Sequence, residues 1–255
     1  MITINHKSIL IPVIASAKGW LAVDKPAGLT VHNDPGQDLC TIASDYIAKK
    51  PQLFKYIEMD PEFGIHPVHR LDRETSGVLL LAADRETFRC FARQFESRQV
   101  RKRYVAVLHG RLESPDGKWG VWRRPLAKEA GGRKNPAGSG QKQPCETRYR
   151  VMGHSDHYTM AEIVIATGRK HQIRRHAKLA GHPVAGDSRY GSDRAVRFLK
   201  ENCGFDRLGL HARSLTVTLP DPQGTQQIET ADIPDQMREL IHNDIPTGRK
   251  ESNIF

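Results

Sequence analysis

Six apolar residues in a row, Val78-Leu79-Leu80-Leu81-Ala82-Ala83, follow directly on Gly77. A run of that length after a glycine is expected to be a strand buried in the core of a sheet. The residues before it are of opposite character: His69-Arg70-Leu71-Asp72-Arg73-Glu74-Thr75-Ser76 sets a carboxylate, Asp72, between Arg70 and Arg73. Asp72 is therefore expected in a loop at the entrance of a strand, where a rigid element can position it. The ordinary use of an aspartate so placed is a surface ion pair with Arg70 or Arg73.

The rest of the chain predicts a mixed architecture. Trp20-Leu21-Ala22-Val23 is a short strand running into Asp24-Lys25-Pro26-Ala27-Gly28, where Pro close to Gly signals a tight turn. Residues 42–50 are expected to be helical, with Ile42, Tyr46 and Ile47 on one side. From 84 to 98 a second helix is predicted. Asp84 is its cap, and Phe88, Phe91, Ala92 and Phe95 are its buried face. Further strands are expected at 104–109, 145–151, 160–166 and 214–219. Several strands joined by short connections, with few helices, imply an α+β class with a mainly antiparallel mixed sheet flanked by helices. A helix after the Thr167–Arg169 turn would bury Ile173, Ala177 and Ala180, set Arg174 beside that stripe, and end at Gly181 and Pro183.

Charge narrows the partner. Lys and Arg total 39 against 29 acids, a formal net charge of +10 over 255 residues. A basic domain of this size commonly meets a polyanion, nucleic acid above all. A membrane is not expected, since no stretch approaches the roughly 18 apolar residues of a span. No export signal is visible at the N-terminus, so a cytoplasmic setting is expected. Cys40, Cys90, Cys145 and Cys203 lie far apart and read as reduced, buried thiols. Lys128 to Pro144 (KEAGGRKNPAGSGQKQP) is almost without apolar residues. It reads as a mobile surface loop, either a plain connection or an RNA-gripping arm carrying Lys128, Arg133, Lys134 and Lys142. It has no phosphate-loop spacing.

Six ordered blocks carry a family likeness. They are Val23-Asp24-Lys25-Pro26-Ala27-Gly28-Leu29-Thr30-Val31-His32, the Asp72 block, Arg101-Lys102-Arg103-Tyr104-Val105-Ala106, Thr167-Gly168-Arg169-Lys170-His171-Gln172-Ile173-Arg174-Arg175-His176, Gly181-His182-Pro183-Val184-Ala185-Gly186-Asp187 and Arg207-Leu208-Gly209-Leu210-His211-Ala212. Together they span roughly residues 18 to 220, and the chain resembles the RluA-like pseudouridine synthases. The resemblance implies the pseudouridine synthase catalytic fold with a central active-site cleft over residues 18–240, flanked by a short N-terminal segment (1–17) and a C-terminal tail (241–255). Only about 18 residues precede the first block, too few for the small RNA-binding domain that many members carry. Substrate choice is then expected from the catalytic domain, its basic surface, the 128–144 loop and the tail.

The resemblance also assigns roles. Asp72 becomes the catalytic carboxylate, Tyr104 a stacking and proton-relaying ring, and Arg174 the cation paired with Asp72. Arg70 becomes the residue that fills the place of an extruded base, and Ile173 an apolar wall against that base. His69, Thr75, Lys102, Arg169, His171 and Gln172 complete the expected substrate contacts. Isomerising uridine breaks a C–N bond and makes a C–C bond within one nucleotide, so no metal, nucleotide or redox cofactor is expected. Among metal readings, His171 and His176 are five residues apart, about 140° around a helix, and do not converge. Chemistry at the base requires it to leave its stack, which is cheapest in a loop, so structured RNA is the expected partner. The form of Arg169–His176 looks more like the tRNA-modifying branch than the large-subunit rRNA branch. The competing reading is a catalytically inactive RNA-binding or ribosome-assembly factor on the same fold, although Asp72, Tyr104 and Arg174 are all present. A monomer is the default.

Overall fold

The computed structural model describes residues 2–115, 118–220 and 224–244. In chain order its elements are β1 (Thr3–His6), β2 (Ile9–Ala17), β3 (Trp20–Lys25), α1 (Leu39–Ala48), α2 (Pro51–Ile57), β4 (His66–Pro67), β5 (Ser76–Ala82), α3 (Arg85–Glu96), β6 (Arg101–His109) and β7 (Gly120–Trp122). There follow β8 (Leu126–Ala127), β9 (Lys142–Gln143), β10 (Thr147–His154), β11 (Tyr158–Ile165), α4 (Gln172–Leu179), α5 (Asp193–Cys203), β12 (Leu210–Thr218), β13 (Thr225–Glu229) and α6 (Asp235–Asn243). The strand pairs β1/β2, β2/β3, β3/β5, β4/β5, β7/β10, β8/β9, β10/β11 and β12/β13 are all antiparallel, so the α+β expectation holds. No helix among the described residues is long and apolar enough to cross a membrane.

The chain divides into two compact units. Unit 1 is Met1–Lys102 with Ala212–Ala231, and unit 2 is Arg103–His211 with Asp232–Phe255. In unit 1 the strand order is β1-β2-β3-β5-β12, with β13 on β12 and β4 on β5. The apolar run at 78–83 is β5 and its exit, and it is buried throughout. Val78 and Leu80 pack with Trp20, Phe91, Leu215 and Val217 on one side of the sheet. Leu79 and Leu81, turned the other way by the pleat, are equally buried. Helix α3 covers the first side through Phe91, whose ring meets Trp20 edge-on at 6.4 Å. Asp84 caps that helix, its carboxylate accepting from the Thr87 backbone N–H at 2.8 Å. Phe88, Ala92 and Phe95 are half-buried, so only Phe91 of the expected face reaches the core fully.

Unit 2 carries the order β6-β11-β10-β7 and, apart from it, the small β8–β9 pair. Its core gathers Val105, Val107, Met160, Leu199, Phe205, Met237 and Ile241 from β6, β11, α5, α6 and their flanks.

Several local expectations are corrected. Residues 3–17 form the β1–β2 hairpin, with Ile4 and Ile11 buried, so the N-terminal segment belongs to the sheet of unit 1. The first helix starts at Leu39 and not at 42, because Asp38 caps it by accepting from the Thr41 N–H at 2.9 Å. Helices α2 and α5 went unread. Ser192 and Asp193 at the start of α5, and Gly204 in the left-handed conformation at its end, are the signals that mark the second. All four cysteines are free, but only Cys40 and Cys145 are buried as expected, Cys90 being half-buried and Cys203 exposed. Ala180, assigned to the buried stripe of α4, is exposed as well, because that helix ends at Leu179. Of the 241–255 tail, residues 241–243 finish α6 with Ile241 in the core. The part beyond Asp244 lies outside the described residues.

Gly77, where the Asp72 loop becomes β5, has φ +112, and a Cβ there would collide with the carbonyl oxygen of Ala212 and lie 2.7 Å from its nitrogen. Both the backbone conformation and the close approach of the strands demand glycine. Gly77→Ala is expected to cost about 3 kcal/mol or more, from overpacking plus left-handed strain. Urea unfolding followed by far-UV circular dichroism measures it, with Gly28→Ala, in open space, as the milder control.

Candidate active site

In unit 1 the loop that carries Asp72 is built by burying alternate parts of it. Leu71 and Thr75 are buried, Asp72 is half-buried, and Arg70, Arg73 and Glu74 are exposed. The Thr75 N–H closes a turn on the Asp72 carbonyl at 3.1 Å. The main restraint comes from the first block of the chain. Lys25 has no exposed surface, and its Nζ donates to the carbonyls of Leu29 (2.7 Å), Pro26 (2.8 Å) and Arg73 (3.0 Å). Gly28, at φ +85, donates its N–H to the same Arg73 carbonyl at 2.9 Å, and Arg73 Nε returns a bond to the Gly28 carbonyl at 3.0 Å. The Lys-Pro-Ala-Gly turn is thus clasped to the residue that follows Asp72. Arg73 is spent in that clasp, whereas Arg70 projects to solvent.

His69 faces inward. Its Nε2 accepts from the Leu80 backbone N–H at 3.0 Å, and its ring stacks on Phe95 at 4.9 Å. With Nε2 accepting, the ring proton of the neutral form sits on Nδ1. Burial, and secondarily the Lys102 ammonium, push its pKa down to about 3. Lys102 Nζ lies over the Phe95 ring at 5.8 Å, and burial lowers its own pKa. His69 and Lys102 thus both pack on the Phe95 ring.

In unit 2, α4 is buried on nearly every side, including its charges. His171 precedes it at φ +54 and reaches the Tyr190 hydroxyl through Nδ1 at 3.0 Å. The Gln172 amide uses both ends inside the protein. Its Oε1 accepts from Thr167 Oγ1 (2.7 Å) and the Arg169 N–H (3.1 Å), while Nε2 donates to the Glu146 carbonyl (2.9 Å) and Thr147 Oγ1 (3.1 Å). Arg174, 3% exposed, makes a forked pair with Asp187, Nε to Oδ2 and Nη2 to Oδ1, both at 2.8 Å. Asp187 Oδ1 also accepts the backbone N–H groups of Arg189 and Tyr190 at 3.0 Å. This fork fixes the plane of the guanidinium. Ile173 and Tyr104 are buried, Arg169 is half-buried and Lys170 exposed. His176 donates from Nε2 to the Arg124 carbonyl at 2.8 Å, while Nδ1 accepts from Thr147 Oγ1 at 2.8 Å. No group of His, Cys, Asp and Glu among the described residues could hold a metal ion.

A family model described as RNA pseudouridylate synthase matches residues 19–179, which include the Asp72 loop with its Lys25 clasp and helix α4, while Asp187 and Tyr190 lie beyond it. The chain belongs to the RNA pseudouridylate synthase family. Among its relatives, a tRNA pseudouridine synthase C of Haemophilus ducreyi is 33% identical over 236 residues, covering 88% of this chain and 90% of that one. A ribosomal large subunit pseudouridine synthase C of Yersinia pestis is 34% identical over 223 residues, 87% of this chain. The match spans 65% of that relative's own length. A ribosomal large subunit pseudouridine synthase D of Nitrosomonas europaea is 33% identical over 247 residues, 93% of this chain and 67% of that one. In structure, human RNA Pseudouridylate Synthase Domain Containing 4 superposes with a TM-score of 0.69 at 25% identity, covering 90% of this chain and 91% of that one.

The candidate site residues are divided between the two units. Asp72, Arg70, His69, Thr75 and Lys102 fall in unit 1, and Tyr104, Arg169, His171, Gln172, Ile173 and Arg174 in unit 2. Gln172 bonds the Thr167 and Thr147 hydroxyls and the backbone of Arg169 and Glu146, and His69 Nε2 bonds the Leu80 N–H. Lys25, Asp187 and Arg175 were not singled out from sequence. The signal for Lys25 was present in its Lys-Pro-x-Gly block, and that for Asp187 in the closing aspartate of the Gly181 block. Replacing Lys25 by Met would leave the buried Leu29 carbonyl and the part-buried carbonyls of Pro26 and Arg73 without this donor, at a cost of about 3 kcal/mol, read as a lowered urea midpoint. Arg73→Ala, on the exposed side of the clasp, is expected to cost less than half as much.

The His69 ring gives a pH signature. The unfolded chain takes up this proton near pH 6.5 and the folded chain only near 3. Its contribution to stability is therefore full above 6.5 and is lost as pH falls toward 3. His69→Gln keeps a side-chain acceptor without the titration, and its unfolding midpoint is expected to fall less steeply over that window than that of the wild type.

Proposed function

We propose that this protein isomerises a specific uridine of a structured RNA to pseudouridine, with Asp72 as the essential carboxylate. The observation that carries the reading is the construction around Asp72. A fully buried Lys25, the Gly28 turn, His69 and the glycine-only junction at Gly77 all serve to hold one short loop. A surface ion pair needs no such support.

The reaction breaks the bond between C1′ of the ribose and N1 of uracil, turns the base, and forms a bond from C1′ to C5. The hydrogen on C5 leaves as a proton, and N1 gains one. Atoms and electrons balance without an oxidant, metal or cofactor. Asp72 supplies the carboxylate for covalent attack or charge stabilisation and for proton removal. In this reading Tyr104 stacks on the base and relays a proton, and Arg174, its plane set by the Asp187 fork, supplies a fixed positive charge toward the substrate. Arg70, exposed on the same loop as Asp72, takes the place of the extruded base, whose unstacking costs a few kcal/mol and least in a loop. The exposed Lys128, Lys134 and Lys142 contact phosphates. Arg133, also expected there, is engaged by Asp193 through two hydrogen bonds. The protein acts as a cytoplasmic monomer.

The named relatives act on tRNA and on large-subunit rRNA. The form Arg169-Lys170-His171-Gln172-Ile173-Arg174-Arg175-His176 supports tRNA for this chain. Tritium release from RNA carrying uridine labelled at C5 tests both claims. The wild type is expected to release label from unmodified tRNA transcripts, and Asp72→Asn to release none. Release from rRNA transcripts alone would overturn the substrate assignment. Tight binding to both RNAs without release from either would favour the non-catalytic RNA-binding reading.

A further inference from the structure

Residues 128–144 have the composition of a loose connection, but their backbone is gripped by a buried arginine, Arg175, and an exposed one, Arg189. The loop is closed at its base by the β8–β9 pair, Leu126 opposite Gln143 and Ala127 opposite Lys142. Beneath it lies Arg175, which has no exposed surface and is directed from α4 into the loop. Its Nε donates to the Pro136 carbonyl (2.5 Å), Nη2 to Ala137 (2.6 Å), and Nη1 to Ala127 and Lys170 (both 3.1 Å). Arg189 adds bonds to the carbonyls of Ala130 (3.0 Å) and Gly131 (3.3 Å). Arg133 reaches out of the loop to Asp193 and the Ser188 carbonyl.

The glycines fit this winding. Gly138 has φ +75, and a Cβ there would collide with the Glu129 carbonyl and lie 3.1 Å from Arg175 Nη2. One at Gly131 would collide with the Asn135 carbonyl. With carbonyls drawn inward onto cations, the loop's own Lys128, Lys134 and Lys142 are left exposed on its outer side.

We propose that Arg175 is a positioning residue, holding residues 126–143 as a preformed cationic platform for the phosphates of the substrate RNA. This rests on the RNA-modifying reading above for the identity of the ligand. A platform ordered before binding avoids the entropy of ordering a free loop at the moment of association. The same scaffold carries Arg174. Arg175 follows it on α4, and Asp187, which forks onto Arg174, also holds the backbone of Arg189, whose side chain grips the loop.

The test measures binding of a tRNA transcript across a salt series, with every protein carrying Asp72→Asn so that no turnover intervenes. Three phosphate contacts predict a salt slope shallower by about 2 in the triple variant Lys128→Ala/Lys134→Ala/Lys142→Ala. Arg175→Met is expected to weaken binding about tenfold at low salt, with a similarly shallower slope. Combined with the triple variant, it should add little further loss. Arg175→Lys, which cannot fork onto four carbonyls, should rescue only in part. In protein retaining Asp72, Arg175→Met should raise KM by a larger factor than it lowers kcat, and trypsin should cut within 128–144 faster than in the wild type. If Arg175→Met does not fold, Arg189→Gln, which removes two outer loop bonds, carries the same expectations at smaller size. Unchanged affinity with an opened loop, or losses that add in full to those of the triple variant, would overturn the platform. RNA binding that depends on Arg175 without isomerisation of any uridine would overturn the proposed reaction and leave the platform standing. Isomerisation indifferent to Arg175 would do the reverse.

Discussion

A buried cation that gathers backbone carbonyls from separate stretches of chain is the device on which this structure most depends. Lys25 does it in unit 1, joining its own turn to Arg73, 48 residues away. Arg175 does it in unit 2, joining α4 to carbonyls up to 48 residues away. Taking either charge out of water is expensive, and the cost is offset only when each donor meets an acceptor with good geometry. The arrangement is therefore close to all-or-none. Either the loop folds around the cation and satisfies it, or the cation cannot be buried there. That is how a loop with few apolar residues acquires a definite shape. In unit 1 the loop so fixed carries Asp72, and in unit 2 the helix so fixed carries Arg174.

Around those two cations the reactive groups are held by their neighbours more than by themselves. Arg174 has its plane set by the Asp187 fork, and Asp187 in turn caps two backbone N–H groups. Gln172 and His176 both meet the Thr147 hydroxyl, which ties α4 to β10. His69, neutral because of burial, serves as an acceptor for β5. Membership of the RNA pseudouridylate synthase family gives this scaffolding a purpose. A reaction that breaks and remakes bonds at one nucleotide needs its carboxylate placed to a fraction of an ångström.

Much of the fold was legible from local pattern. The run at 78–83 could only be an interior strand, and it is. The Asp84 cap and Phe91 placed α3, and the alternation at 147–151 placed β10. What was not legible follows a rule. The β1–β2 hairpin lacks a strong alternating pattern. Helix α1 begins three residues early because a single cap at Asp38, and not the apolar period, sets its start. Nothing in the local pattern marks Arg174 and Arg175 as buried, since arginines are rarely so, yet both are core. The candidate site was legible only as ordered blocks, which do not say that Gln172 meets two threonine hydroxyls or that His69 Nε2 accepts from the Leu80 N–H.

The sequence by itself determined the class of the fold, the family and the candidate carboxylate, because periodicity, turn chemistry and ordered motifs are properties of short stretches of chain. Tertiary structure alone decided which cations are buried, which carbonyls they collect, and that the glycine-rich 128–144 segment is wound tightly around Arg175. Those outcomes depend on partners between about 30 and 60 residues away along the chain. No local pattern encodes such a partner. Only the closing of the fold, which withdraws water and leaves each buried charge a single set of acceptors, selects it.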